Sequence, residues 1–172
     1  LPIAEVNRLV HVFKEGALSV NPKVKVKVAY IGSWFDPPKA KEATLAQIEA
    51  GADLIFAERF GVFEAAKEKG ILAFGNMMDQ HDLAPEVVIT GPVWNMGPTV
   101  RHCIDEVRSK EWKAGDLREW SMMARGGAYL APFHEFQQKL PPEVLKEIRE
   151  MEAKIMNGQF TVPIIETELK TD

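Results

Sequence analysis

Short apolar runs spaced by helix-length stretches constrain this chain more than any other feature. Residues 53–57 (Asp-Leu-Ile-Phe-Ala) and 71–75 are strand-length and apolar, and residues 86–93 carry Val87, Val88, Ile89 and Thr90. Residues 23–31 alternate valine with lysine, one face for burial and one for water. The lysines also suit an edge position. Between these runs lie helix-length stretches at 39–50, 61–69 and 96–110. Strands alternating with helices of about ten residues predict right-handed βαβ units. The expected class is α/β, a parallel sheet sandwiched by helices in three layers.

Local punctuation sets the boundaries. Ile3, Val6, Leu9, Val10, Phe13 and Ala17 fall on one face, predicting a first helix over residues 2–20. Asn21-Pro22 ends it. Asp36 suits an N-cap and Pro37 the first helical position. Gly70 suits the end of the 61–69 helix. From Glu111 the pattern loosens. Residues 117–123 and 128–131 read as strands, paired as a hairpin around Arg125-Gly126-Gly127. Pro141-Pro142 opens a charged helix ending at Asn157-Gly158, with Val144, Leu145, Ile148, Met151 and Ile155 as its apolar stripe. Residues 160–163 suit a last short strand. The chain starts at Leu1, already in helical pattern, which suggests a piece of a longer polypeptide.

Composition narrows the function classes. A net charge of -4 gives no electrostatic case for nucleic acid or anionic membrane. One cysteine, Cys103, leaves no internal disulfide and no multi-cysteine metal site. No apolar run approaches the roughly 20 residues of a membrane span. His11, His81, His102 and His134 are scattered, none at metal-ligand spacing from another, and read as surface or capping groups. No metal and no cofactor is expected.

In an open parallel sheet, ligands bind beyond the carboxyl ends of the strands. That rule selects loops 32–38, 58–60, 76–80 and 94–95. They hold Trp34, Phe35, Phe60 and Trp94, with Asp36, Glu58, Arg59, Asn76, Asp79 and Asn95 among them. Aromatic faces with a few carboxylates and amides suit a flat heteroaromatic ligand. The alternative is that Trp34 and Phe35 simply cap the sheet. Pro37 and Pro38 remove two N–H donors from a helix start, and Asp36 adds negative charge. An uncharged base or nucleoside therefore fits better than a phosphorylated ligand. Asp36, Glu58 and Asp79 without a placed nucleophile do not make an enzyme.

A family resemblance spans essentially the whole chain. It rests on Asn21-Pro22-Lys23-Val24, Gly32-Ser33-Trp34, Asp36-Pro37, Lys39-Ala40-Lys41-Glu42-Ala43 and Gly51-Ala52-Asp53. It continues through Gly61-Val62-Phe63-Glu64-Ala65-Ala66-Lys67-Glu68-Lys69-Gly70, Asp79-Gln80, Leu130-Ala131-Pro132-Phe133 and Val162-Pro163. These segments resemble the basic-membrane-protein family, extracytoplasmic and often lipid-anchored substrate-binding proteins of ABC transporters. The resemblance implies a type I periplasmic-binding-protein-like fold of two lobes, of which this chain is mainly the C-terminal one. It implies that residues 94–130 cross to a missing N-terminal lobe. It implies a purine-like base or nucleoside as ligand and a membrane permease as partner, with no nucleic acid.

The same resemblance assigns roles. Trp34 occupies the position of the family's base-stacking aromatic, with Phe35 beside it. Met77 stands where nucleoside binders place a ribose-holding aspartate, and Trp94 where they place a lysine. The glycine-rich loop is shortened to Glu58-Arg59-Phe60. Two of these departures replace sugar-binding polar groups with apolar ones, which points to a free base. The alternatives are a ligand-sensing effector domain of a regulator and, third, a nucleoside-processing enzyme.

Overall fold

The structure is a computed structural model that describes residues 1–56 and 60–170. The chain divides into two compact units, Leu1–Ala73 with Val162–Asp172, and Phe74–Thr161.

The first unit is built on helices. Its elements are α1 (Ala4–Val20), α2 (Pro37–Glu49), β1 (Leu54–Phe56) and α3 (Val62–Lys69), with β2 (Leu72–Phe74) closing it. β1 pairs with β2, and α3 is their crossover. α2 packs on α3 through small side chains. Ala40 and Thr44 are buried on α2, and Val62, Phe63, Ala65 and Ala66 on α3. Lys41 and Glu68 bridge the pair at 2.8 Å in the open, where solvent screens the contact. On the other side Phe13 of α1 stacks on Phe56 at 4.8 Å.

The tail returns to α1 and adds no strand. Asn7 Nδ2 donates to Glu166 O at 2.8 Å, Arg8 pairs with the Glu166 carboxylate, and His11 Nε2 meets Thr167 O at 2.8 Å. Tyr30 Oη donates to Asn7 Oδ1 at 2.9 Å, so the buried Asn7 amide is satisfied on both sides. Val162-Pro163 starts this return, and the expected strand over 160–163 does not form.

The second unit holds β3 (Pro92–Trp94), α4 (Gly97–Ser109), β4 (Ala128–Leu130) and α5 (Pro142–Met156). Residues 75–77 run parallel to 90–94: Gly75 N donates to Thr90 O at 2.8 Å, Trp94 N to Met77 O at 2.9 Å, and Met77 bridges Val93. β4 pairs antiparallel with β3, in the register Pro92↔Leu130, Val93↔Tyr129, Trp94↔Ala128. Val87, Val88 and Ile89 are buried beneath this edge.

The helices match their sequence signals to within a residue or two, and so do β1, β2 and β4, while the other expected strands do not. Among the described residues, 23–31 form no assigned strand, and the 86–93 run contributes only Pro92 and Val93 to β3. Side chains hold the first of these segments: Gln47 Nε2 donates to Lys27 O at 3.2 Å. The expected 117–123/128–131 hairpin is also absent. Arg118–Ser121 and Met123–Arg125 are 3-10 turns, and β4 pairs with β3 instead. Ring stacking explains the turns. Trp120 stacks on His102 with centroids 4.1 Å apart, and the Arg125 guanidinium lies over its ring at 4.7 Å. α4 presents Met96, Val100, Ile104 and Val107 to solvent as one apolar stripe.

One close approach fixes the first unit's loops. Gly61 has φ +98°, and a Cβ there would sit 2.2 Å from Pro37 O. Gly61→Ala adds both strain and a clash. We expect a loss of more than about 2 kcal/mol, read as a lower urea midpoint. An unchanged midpoint would show that Pro37 can retreat.

Candidate functional site

In the first unit the sequence-predicted turn is a rigid platform. Gly32 takes φ +74°, a left-handed conformation that suits glycine. Phe35 N–H donates to Ser33 Oγ at 3.2 Å, which tightens the turn. Asp36 caps α2 by accepting from Lys39 N at 3.1 Å, and Ala40 N donates to Asp36 O at 2.9 Å. Pro37 and Pro38, the first two helical residues, have no N–H to offer. The helix start therefore presents no free donor and carries a carboxylate. Its dipole is capped from within, so the helix start itself offers an anion no donor.

The aromatic rings on this platform face outward. Trp34 is 49% exposed, Phe35 69% and Phe60 43%. Phe35 and Phe60 meet edge to face, centroids 6.2 Å apart and planes at 72°. The Gly61–Pro37 contact brings the Phe60 loop to the Phe35 loop. All three rings keep part of their surface in contact with solvent. Glu58 and Arg59 lie outside the described residues.

In the second unit the predicted residues serve the fold as well as the surface. Asn76 is buried, and its N–H donates to Gln80 Oε1 at 2.8 Å. Met77 has φ +73°, a strained conformation for methionine. Its carbonyl is taken by Trp94 N, which places Met77 beside the 40% exposed Trp94. Asn95 is engaged within the chain. Its N–H donates to Gly127 O at 2.8 Å, its Nδ2 to Gly126 O at 2.9 Å, and its Oδ1 accepts from Gly97 N at 3.1 Å. It ties the 126–127 turn to the start of α4.

Asp79 is ion-paired. His134 Nε2 lies 2.8 Å from Asp79 Oδ2, and His81 N donates to Asp79 Oδ1 at 3.1 Å. Partial burial raises the carboxyl, but the bonds and charges of His134 and His81 outweigh it and hold it below the usual range. His81 itself is buried and stacks on His134, centroids 3.9 Å apart. This corrects the reading of the histidines as scattered surface groups. The two come from loops more than fifty residues apart, and no local spacing could have paired them. Among the described residues no group of three or more His, Cys, Asp or Glu side chains is arranged to hold a metal ion. Two grooves along α5, of about 370 and about 160 Å³, are bordered by residues such as Leu145, Arg149 and Ile148, and by no candidate residue.

Comparison with known proteins places the chain. The family model for PnrA-like ABC transporter substrate-binding proteins (Bmp) matches residues 1–166. A purine-binding protein of Brucella abortus is 35% identical over 169 residues, 95% of this chain and 47% of the relative. A Haloferax volcanii protein, provisionally named ABC transporter glucose-binding protein TsgA13, is 29% identical over 94% of this chain and 40% of its own length. Among solved structures, an ABC transporter solute-binding protein of Conexibacter woesei covers 90% of this chain and 51% of its own at TM-score 0.65 and 19% identity. A transcriptional activator of the comK gene from Bacillus halodurans covers 77% of this chain and 47% of its own at TM-score 0.64 and 26% identity. The chain thus spans about half the length of the curated relatives it matches.

The Asp79 pairing has a pH signature. A carboxyl held low when folded stabilises the protein above its unfolded titration range, and that stability is lost as pH falls through the folded value. Asp79→Asn removes this dependence. We expect its thermal midpoint to fall less than the wild type's between neutral and acid pH. Parallel acid limbs would show that the pair contributes nothing.

Proposed function

We infer function from one premise: this chain belongs to the PnrA-like family of ABC transporter substrate-binding proteins, whose model matches it over residues 1–166. We propose that the whole protein captures a small heteroaromatic ligand outside the cytoplasm and delivers it to a membrane permease, and that it is not an enzyme. The ligand is a purine-like base, with a nucleoside as the second choice. The observation that carries this reading is the exposed ring cluster Trp34, Phe35 and Phe60 beside a helix start stripped of anion-binding donors. Stacking on such rings needs a flat π-face and no phosphate. The printed name of the Brucella relative, a purine-binding protein, points the same way.

Three further readings belong to this proposal. Residues 94–130 cross to an N-terminal lobe, and the apolar stripe of α4 is the surface that receives it. The ligand is held in a cleft that closes by hinge motion of the two lobes. The full-length protein is extracytoplasmic and lipid-anchored. No helix among the described residues is long and apolar enough to cross a membrane.

A second reading, a ligand-sensing domain of a regulator, is favoured by the likeness to the Bacillus halodurans transcriptional activator. DNA binding by the intact protein would select it over transport.

Isothermal titration of the full-length protein against adenine, guanine, their nucleosides and glucose tests the ligand. We expect a free base to bind tightest, and a clear preference for nucleosides or glucose would sink the free-base assignment. Trp34→Ala should weaken the bound purine about tenfold to a hundredfold, the range of one lost base stack. Its circular dichroism should match the wild type. Undiminished affinity would return Trp34 to a structural role.

A further inference from the structure

Two histidines and two carboxylates meet in the second unit, from loops 55 residues apart in the Asp79–His134 pair. His81 opens the 3-10 turn His81–Leu83, and His134 opens His134–Gln138. The rings stack with centroids 3.9 Å apart and planes at 14°. His134 Nε2 meets Asp79 Oδ2 at 2.8 Å, and His81 Nε2 meets Glu135 Oε2 at 2.8 Å. His81 Nδ1 lies 3.2 Å from Val88 O. His134 is held at φ +44°, left-handed for a residue with a side chain, and this backbone kink carries its ring onto His81.

Counting hydrogens decides the state of His81. A carbonyl oxygen only accepts, so Nδ1 carries a hydrogen toward Val88. A carboxylate only accepts, so Nε2 needs one toward Glu135. A neutral imidazole has a single N–H. Both bonds therefore form only when His81 is an imidazolium. Glu135 suits the part: its own backbone N–H, with the charges of His81 and His134, holds its carboxyl below the usual range. His134 needs one hydrogen, on Nε2, to serve Asp79. The ionic groups facing this pair are Asp79 from the 76–80 loop and Glu135 from the 134–138 turn, and Asp82 follows His81 on its own turn.

We propose that His81, His134 and Glu135 are positioning residues forming a proton-dependent lock, which fastens the 76–83 loop and its Asp79 onto the 134–138 turn. The lock is complete when His81 carries two hydrogens and loses one of its bonds when His81 carries one. Calling 76–80 a ligand loop rests on the function proposed above. The lock itself is a property of the unliganded protein.

The variant that separates the lock from ordinary packing is Glu135→Gln. A glutamine amide both donates and accepts, so it pairs with either state of His81. Glu135 is 68% exposed at its side chain, so the exchange leaves the core untouched. Amide hydrogen exchange of Asn76 and His81, corrected for intrinsic rates, reads the loop. In the wild type we expect protection to fall roughly tenfold between about pH 5.5 and about pH 8.5, as one bond to a charged partner is lost. In Glu135→Gln we expect protection to stay level. Level protection in the wild type, or the same fall in the variant, would overturn the lock. Nitrogen-15 shifts of His81 give a second reading on the wild type alone. Both ring nitrogens should be protonated at the acid end, and a neutral ring there would overturn it equally. Purine titration in the same samples keeps the two ideas apart. Absent purine binding with an intact pH-dependent lock overturns the ligand and leaves the lock.

Discussion

The arrangement of the exposed rings in the first unit depends on the contact between Gly61 and the Pro37 carbonyl. Gly61, with no side chain, lets the two backbones meet, and that meeting sets the Phe60 loop beside the Trp34-Phe35 turn. Asp36 and the two prolines close the helix start from within. The result is a turn with exposed rings beside a helix start that offers no free N–H donor.

The second unit achieves order by different means. Its ladders are three residues long, so strand pairing alone fixes little. Side-chain ties make up the difference: Asn95 across the 126–127 turn, Gln80 under Asn76, and Thr90 Oγ1 to Ala131 O at 2.6 Å. Two non-glycine residues, Met77 and His134, sit in left-handed conformations within this region. Such residues persist where their surroundings over-determine them, and that is common where a surface has work to do.

Helices and their caps were legible in the sequence because their signals are local. Asp36-Pro37-Pro38 names its own cap, and Gly70 takes the left-handed C-cap expected of it. The place of the aromatic pair just ahead of α2 was legible as well, since the Asp36 cap marks where the helix begins. Three short strands, β1, β2 and β4, were legible too, and the longer 23–31 and 86–93 runs were not. Alternation in residues 23–31 reports which side chains are buried, but a ladder needs a partner, and partners are set by distant chain. The 117–125 turns were missed because Trp120 finds its stacking partner in His102, on a helix the local pattern does not mention. The His81–His134 stack was invisible for the same reason.

The return of the tail to α1 has a consequence for how the chain is made. The first unit is discontinuous, its early residues waiting for Val162–Asp172, while Phe74–Thr161 is continuous. Synthesis delivers residues in order, and segments tend to fold once whole. The later stretch can mature while the earlier one is still missing the strand of chain that satisfies Asn7 and Arg8. Of these two units, the one whose chain begins earlier is the one whose chain is completed later.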